Sequence, residues 1–468
     1  MIEVPRSTLR EFRQVLRRTL PARPTRDRLP WVVVEAGTDR LTLRTQHTDA
    51  ALTLQLPVRL PPQQLALPAQ ALDALEGRQG TVQVDADGQV QVQARWEEAG
   101  VPRVVDFATI DVDQLPPFPP LPKEWATNPP GFLAALHDAM QSAARESVRY
   151  ALGKVQLRGS GEIAATDGKQ LLLQAGFRFP WKGNVLVPKV GLFGGLQLPQ
   201  DVGVQVGRTE KHVVVQAGPW TVHLSADQEG RFPAVETIVP HTCKTTWKLS
   251  PAEAKFLRAT LAKLPGASDA ERPLTVDLNG KAVLRVHGAG QNRPTEVILE
   301  QSQVNGPPVR CCVNRELLGR ALELGFMEVR VVNADQPLWC QDGPRRFVFM
   351  PLPAKESLAP HPDALRISSA TTRPVLATSP GTKGKPMPKP HGPLPPPTPS
   401  AVARPPAVQL ATNENEPLAA VEEAVALQTM LRDALTRVNA LVVALRQQQR
   451  ERRLFQHALG SLRRLQQM

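Results

Sequence analysis

A chain of 468 residues is too long for one hydrophobic core and points to about three domains. Its 47 prolines and single tyrosine are unusual, yet a 41% hydrophobic content supports packed globular parts. A formal charge of +12 and a pI near 9.9 point to a polyanionic partner, with nucleic acid first and an acidic membrane surface second. Cys243, Cys311, Cys312 and Cys340 form no CxxC pair and read as reduced, mostly buried thiols. No apolar run nears the roughly 20 residues of a membrane span, and the N-terminus lacks a signal-peptide core. The expected protein is soluble and cytoplasmic.

In chain order, a pattern repeats three times at a spacing of roughly 120 residues. Each copy opens with an amphipathic helix: "STLREFRQVLRRTL", then "GFLAALHDAMQSAARESVRYAL", then "PAEAKFLRATLAKL". Alternating strands with a turn follow. In the second copy these are "KVQLRGSGEIAATDGKQLLL", where Asp167-Gly168 predicts a two-residue hairpin, and in the third "LTVDLNGKAVLRVHG" with Asn279-Gly280. A second short helix comes next: "PAQALDALEG", "VPKVGLFGGLQL" and "VNRELLGRALELG". A further hairpin closes each unit, and in "TVQVDADGQVQVQAR" Val82 and Val84 are expected to answer Val90 and Val92.

Two helices on one face of strand-rich units, three times over, is an α+β architecture. The expected boundaries are 1–122, 123–246 and 247–354. From 355 to 411 the chain is Pro-rich, as in "KGKPMPKPHGPLPPPTPSAVARPP", and reads as a disordered linker. Over 412–468, Leu427, Leu431, Leu435, Val438, Val442 and Leu445 make a coiled-coil-like seam on an amphipathic helix that turns strongly basic.

Chemistry of its own is not indicated. The chain has no HExxH, no GxSxG elbow, no Walker loop and no histidines at metal-ligand spacing. "GLFGGL" is too apolar to cradle phosphate, and close helix packing explains its glycines better. No catalytic residue, metal or cofactor is therefore expected. Basic rows on the three first helices suit a phosphate backbone, whose charges come about every 1.7 Å along a duplex. On the first helix, Leu9, Phe12, Val15 and Leu16 form the apolar stripe, while Arg10, Arg13 and Arg17 recur on the other side with Arg6 and Arg18 nearby. Arg145 and Arg149 extend the theme on the second helix, and Lys255, Arg258 and Lys263 on the third. For a single helix, a merely solvated face explains such a row as well.

"RYALGKVQLRGSGEIAATDGKQLLL" resembles the middle-domain segment of the bacterial DNA polymerase III beta subunit, the replicative sliding clamp. "ARPTRDRLP" (22–30), "GRFPAVETIVP" (230–240) and "RFVFMPLP" (346–353) resemble three further segments of that family in the right order. The resemblance covers roughly residues 1–354. It implies three repeated clamp-type domains with helices lining an inner face and antiparallel sheets outside, paired head to tail as a ring around duplex DNA. It further implies a nucleoid-associated, non-enzymatic accessory subunit of a DNA polymerase holoenzyme. Arg23 matches the family's DNA-contacting loop arginine, and Tyr150 a DNA-contacting aromatic.

The resemblance also implies a groove for short Gln-x-x-Leu-Phe-type peptides of polymerases, clamp loaders and repair proteins. Its residues here would be Leu152, Thr166, Gly168, Lys169, Gln170, Leu171, Pro233, Ile238, Val348, Met350, Pro351 and Leu352. The sequence departs from the family at Gln170 and Thr237, where arginine is common, and at Arg315, where an aromatic is frequent. The family's chain ends after Met-Pro-Met, whereas here a linker begins at the groove's edge and is expected to drape over it or compete with partners. "RRLFQ" (452–456) resembles a clamp-binding peptide weakly, because Glu451 stands where glutamine should; Leu454 and Phe455 read better as a helix face buried in an unknown partner. Residues 356–468 hold 14 of the 56 basic and 8 of the 44 acidic side chains, so tail and body each carry about +6. Family members are often acidic outside their basic hole, so tighter DNA binding with a steeper salt dependence is expected. The leading reading is a sliding clamp. The alternative is a clamp-fold paralogue acting as a non-ring DNA scaffold, dimerised by its C-terminal coiled coil.

Overall fold

The computed structural model describes residues 1–20, 29–87, 91–145, 151–195, 198–266, 271–288 and 290–372. Residues 1–377 form one unit and 378–468 another. The expected coiled coil and the RRLFQ segment lie outside the described residues, as do Arg23, Arg149 and Tyr150.

The first repeat comprises β1 (Ile2–Pro5), α1 (Arg6–Thr19), β2 (Trp31–Ala36), β3 (Leu41–Gln46), β4 (Ala50–Leu56), β5 (Gln63–Pro68), α2 (Ala71–Leu75), β6 (Thr81–Asp87), β7 (Gln91–Glu98) and β8 (Val101–Ala108). The second has β9 (Trp125–Asn128), α3 (Phe132–Ser142), β10 (Lys154–Arg158), β11 (Glu162–Thr166), β12 (Gln170–Gln174), β13 (Asn184–Pro188), β14 (Val204–Arg208), β15 (His212–Ala217) and β16 (Trp220–Ser225). The third has β17 (Thr245–Lys248), α4 (Pro251–Thr260), β18 (Pro273–Asn279), β19 (Lys281–Val286), β20 (Thr295–Leu299), β21 (Gln303–Asn305), β22 (Val309–Asn314), α5 (Arg315–Glu323), β23 (Glu328–Val331), β24 (Leu338–Asp342) and β25 (Arg345–Phe349). Two short strands follow, β26 (Pro351–Leu352) and β27 (Leu365–Ser368).

Among the described residues four sheets result, with orders β1-β6-β7-β8, β5-β2-β3-β4-β16-β15-β14-β9, β13-β10-β11-β12-β25-β24-β23-β17-β21 and β26-β22-β18-β19-β20-β27. The two long sheets each span a junction between repeats. The last strand of one repeat pairs antiparallel with the third long strand of the repeat before it. Leu54 thus faces Trp220 across β4 and β16, and Leu171 faces Val348 across β12 and β25. An edge strand that finds a neighbour satisfies its open row of N–H and C=O groups, so each junction is held by a continuous backbone ladder.

The helices follow from apolar spacing. On α1, Leu9, Phe12, Val15 and Leu16 are buried, and Phe12 stacks on Trp220 at 5.9 Å. α4 starts at a Ser250 cap that accepts from the Glu253 N–H, with proline in the first turn. The second helix is shorter than its pattern suggests. α3 ends at Ser142, because Ala143 is extended and the Ala144 N–H donates to the Leu152 carbonyl, turning the chain back. The expected short helix at "VPKVGLFGGLQL" is a single 3-10 turn, Leu192–Gly194; a Cβ on Gly194 would lie 2.3 Å from the His137 ring. Val82 and Val84 face Trp96 and Ala94, not Val90 and Val92, so the hairpin is set further along the chain than expected. Cys311, Cys312 and Cys340 are buried, Cys243 is partly so, and all four are free thiols. Among the described residues no helix is long and apolar enough to cross a membrane.

Residues 355–372 depart from the expected structureless linker. They carry a 3-10 turn (Ala354–Glu356), β27 and a second 3-10 turn (Ser369–Thr372). Composition signals how readily a segment orders alone, and here the third repeat's sheet supplies an edge and a polar face to order against.

Candidate functional site

The β11–β12 hairpin makes the lip of a groove. Its last paired residues are Thr166 and Leu171, so the turn spans four residues, 167–170, where Asp-Gly alone predicts two. Asp167 explains the difference: one carboxylate oxygen accepts from the N–H groups of Lys169 (2.8 Å) and Gln170 (2.9 Å). Thr166 Oγ1 accepts from the Gly168 N–H at 3.1 Å and donates to the Gln170 carbonyl at 2.6 Å. Gly168 sits at φ +91°, a backbone state that favours glycine.

Behind the lip, β25 pairs with β12, and the Met350 N–H donates to the Lys169 carbonyl at 2.9 Å. Together they enclose a cavity of about 280 Å³, lined by Leu152, Thr166, Gly168, Lys169, Gln170, Leu171, Pro233, Val235, Ile238, Val348, Phe349 and Met350. Its floor is a separate apolar cluster of Ala164, Leu171, Leu173, Val235, Val239, Trp339 and Val348. The walls keep apolar surface in water, with Ile238 41% and Met350 40% exposed.

Ten of the twelve residues named from the sequence line this cavity. Pro351 and Leu352 do not; as β26 they pair with Val313 and Cys312 on β22. Val235 and Phe349 line it in their place. Val235 is two residues from Pro233 within the same Phe-Pro segment, so the motif already pointed to its neighbourhood.

Polar chemistry is confined to the rim. Lys169 is exposed and ion-paired with Glu271 at 2.9 Å. Gln170 donates through Nε2 to Asp167 at 2.9 Å, which leaves Oε1 buried without a partner among the described residues. Where an arginine would present donors only, the glutamine amide adds a carbonyl acceptor. Beside the lip, Lys189 donates to the Ala143 carbonyl at 2.8 Å. Burial, and then the neighbouring charge of Arg145, pulls its ammonium below the usual lysine range, and Asp167 opposes this.

The basic residues divide into two groups. Arg6 is buried at the start of α1, donating to the Leu75 and Glu76 carbonyls and to Glu98 at 3.2 Å; it holds α1 to the segments around α2 and β7 and is not part of a solvent-facing row. Arg13 is mostly buried and paired with Asp73 and with Glu76 at 2.6 Å, so α2 neutralises part of the α1 face. Arg10 is half-buried, whereas Arg17 and Arg18 are exposed, with Arg17 lying 3.5 Å from Asp73. Arg145, Lys255, Arg258 and Lys263 are exposed. Arg315 is buried and caps the end of the α4 segment, donating to the Leu264 and Pro265 carbonyls, which accounts for a cation where an aromatic is frequent. Among the described residues no group of three His, Cys, Asp or Glu side chains could hold a metal ion.

No protein-family model matches the sequence, and no curated protein matches it. Solved structures do. A griselimycin-bound sliding clamp, the DNA polymerase III beta subunit of Pseudomonas aeruginosa, aligns with a TM-score of 0.64 at 18% identity, covering 75% of this chain and 99% of that one. The DNA polymerase sliding clamp of Bacillus subtilis aligns with a TM-score of 0.64 at 16% identity, covering 75% and 98%. The repeated sheets, the strand-paired junctions and these alignments lead to one conclusion: this chain has the fold of the bacterial DNA polymerase III beta subunit, the sliding clamp.

Proposed function

We propose that this protein is a DNA sliding clamp, a processivity factor whose copies join head to tail around duplex DNA and tether a DNA polymerase. The groove between the β11–β12 lip and β25 carries the reading. It combines an apolar floor, two half-exposed apolar walls and a narrow polar rim in a cavity sized for one or two anchoring side chains. That suits Gln-x-x-Leu-Phe-type peptides, in which a few buried side chains supply most of the affinity. The same groove would serve polymerase, clamp loader and repair proteins in turn. Arg10, Arg17, Arg145, Lys255 and Arg258, with Arg23, Arg149 and Tyr150, would meet phosphates without reading bases, as sliding requires. The protein contributes position, and the chemistry remains with the polymerase.

The test is retention on DNA. The full-length protein should stay bound to nicked circular duplex after a high-salt wash and leave when the circle is linearised. Equal loss from circular and linear DNA would refute encirclement.

A further inference from the structure

The two internal junctions define a rule that the chain ends leave half-fulfilled. At each junction the last strand of a repeat pairs with the third long strand of the repeat before it: β16 with β4, and β25 with β12. By the same rule the last strand of the first repeat, β8, should pair with β20 of the third. Within one chain these two strands lie in different sheets.

β8 shows the consequence. Among the described residues it has a strand neighbour on one side only, β7, and Val101 (50%), Val104 (58%) and Val105 (36%) remain exposed. An edge with three exposed valines is an aggregation hazard unless another strand covers it. The matching edge of β20 is occupied by the chain itself. β27 runs parallel to β20, pairing Thr295 with Leu365, Glu296 with Arg366, Val297 with Ile367 and Ile298 with Ser368.

The segment that delivers β27 crosses the sheet. β26 holds its start on β22; burial, and then the nearby Glu356, pushes the Cys312 thiol on β22 up to about 11. The Leu358 N–H donates to Thr275 Oγ1 on β18 at 2.8 Å. Beyond that, the Leu365 N–H donates to the Pro294 carbonyl at 2.9 Å, Arg366 reaches Glu296 at 3.4 Å, and Ser369 Oγ donates to Glu253 on α4 at 2.5 Å.

We propose that residues 353–372 are a detachable strap whose strand β27 occupies the sheet edge through which two copies of this chain join, so that pairing of β8 with a partner copy's β20 requires β27 to leave. One edge offers one open row of backbone groups, so the two occupants exclude each other. β27 is built to lose such an exchange. It has four paired residues in a parallel register, against five in the antiparallel register of each internal junction. It also leaves Leu365 51% and Ile367 38% exposed, so little apolar surface holds it down. The strap thereby protects β20 in the lone chain and sets a threshold for assembly.

The proposal rests on the head-to-tail joining of copies in the clamp reading, and its test is separate from DNA retention. Sedimentation equilibrium would compare the full-length chain with Ile367→Pro, which removes a backbone donor from β27, and with Ile367→Pro combined with Val104→Asp and Val105→Asp. Ile367→Pro should tighten self-association by about tenfold, the equivalent of one or two backbone hydrogen bonds, and the aspartates should abolish the gain. An unchanged dissociation constant in Ile367→Pro would overturn the proposal. So would a gain that survives the aspartates, since association would then run through another surface, such as the C-terminal segment. As a check independent of proline, Ile298→Cys with Ser368→Cys tethers the strap at a paired position. Self-association should weaken at least about tenfold on oxidation and recover on reduction, and insensitivity to oxidation would again overturn the proposal. If strap release tightens pairing while DNA retention fails, the clamp reading falls and the strap assignment stands.

Discussion

Truncating both groove walls, Ile238→Ala with Met350→Ala, tests the groove where its contribution can be worked out. Fully burying an isoleucine or methionine side chain is worth about 1.5–3 kcal/mol. Folding has already buried part of each, and 41% of Ile238 and 40% of Met350 remain for a ligand to cover. Each wall therefore has about 0.6–1.2 kcal/mol left to give, and the pair about 1.2–2.4 kcal/mol, or roughly an 8- to 60-fold loss in affinity. The assay is fluorescence anisotropy of a labelled Gln-x-x-Leu-Phe peptide against full-length protein, with a thermal melt of each variant to confirm folding. Lys281→Ala is the control, because that side chain is exposed on β19, pairs with Glu300 at 3.2 Å and does not line the groove, and it should change affinity less than about twofold. A double variant that stays folded and binds within about twofold of the parent would refute the assignment of Ile238 and Met350 as the anchoring walls.

Three other outcomes are expected. Arg285 is 5% exposed between Asp277 (2.5 Å) and Glu296 (2.7 Å), so Arg285→Met leaves two buried carboxylates short of a partner and should cost about 3 kcal/mol in urea unfolding near neutral pH. In the parent, burial raises the Glu296 carboxyl, but the Arg285 hydrogen bond and charge, then Arg366, outweigh it and hold it below the usual range. That stability is present above the unfolded carboxylate pKa and lost as the pH falls through the folded one, so the variant's deficit should shrink over the same acid window; a deficit that stays constant refutes the account. His223, buried and then opposed by His212, is pushed down to about 4 from 6.5; it contributes about 3 kcal/mol that is intact above pH 6.5 and lost on acidification toward pH 4. His223→Gln should flatten the parent's stability slope in that window, and parallel slopes would refute it. On DNA, Lys255→Ala and Arg258→Ala should each reduce the slope of log K against log salt by about 0.9, whereas Arg6→Ala should lower the melting temperature and leave the slope unchanged.

Legibility from sequence followed the distance over which each feature is built. The α1 stripe is periodic within 14 residues, and all four of its apolar positions are buried. The groove's expected residues fall in short segments around 152–171, 233–238 and 348–352 that resemble a known family, and ten of the twelve line the cavity. Pairings between distant segments were not legible. Nothing in a helical row tells that Arg6 will be taken up by carbonyls 69 and 70 residues away, or that Arg13 will face Asp73 on α2 and Glu76 just beyond it. The strap was missed for a related reason. Proline content reports on the segment alone, while β27 exists because β20 presents an edge and Glu296 a carboxylate.

The same contrast bears on how far divergence can go without losing the fold. At 16–18% identity to the clamps whose fold it shares, the chain forms both internal junctions as five-residue antiparallel ladders, and backbone pairing of this kind depends little on which side chains are present. Side-chain identity matters where no ladder fixes the outcome: in the groove rim, where Gln170 presents an acceptor, and at the outer edges, where exposed valines on β8 face the choice between water and another strand. On the head-to-tail joining proposed above, the backbone rule that specifies two junctions inside the chain would specify the third only between chains, so concentration would enter the balance and the short strand on β20 would oppose it.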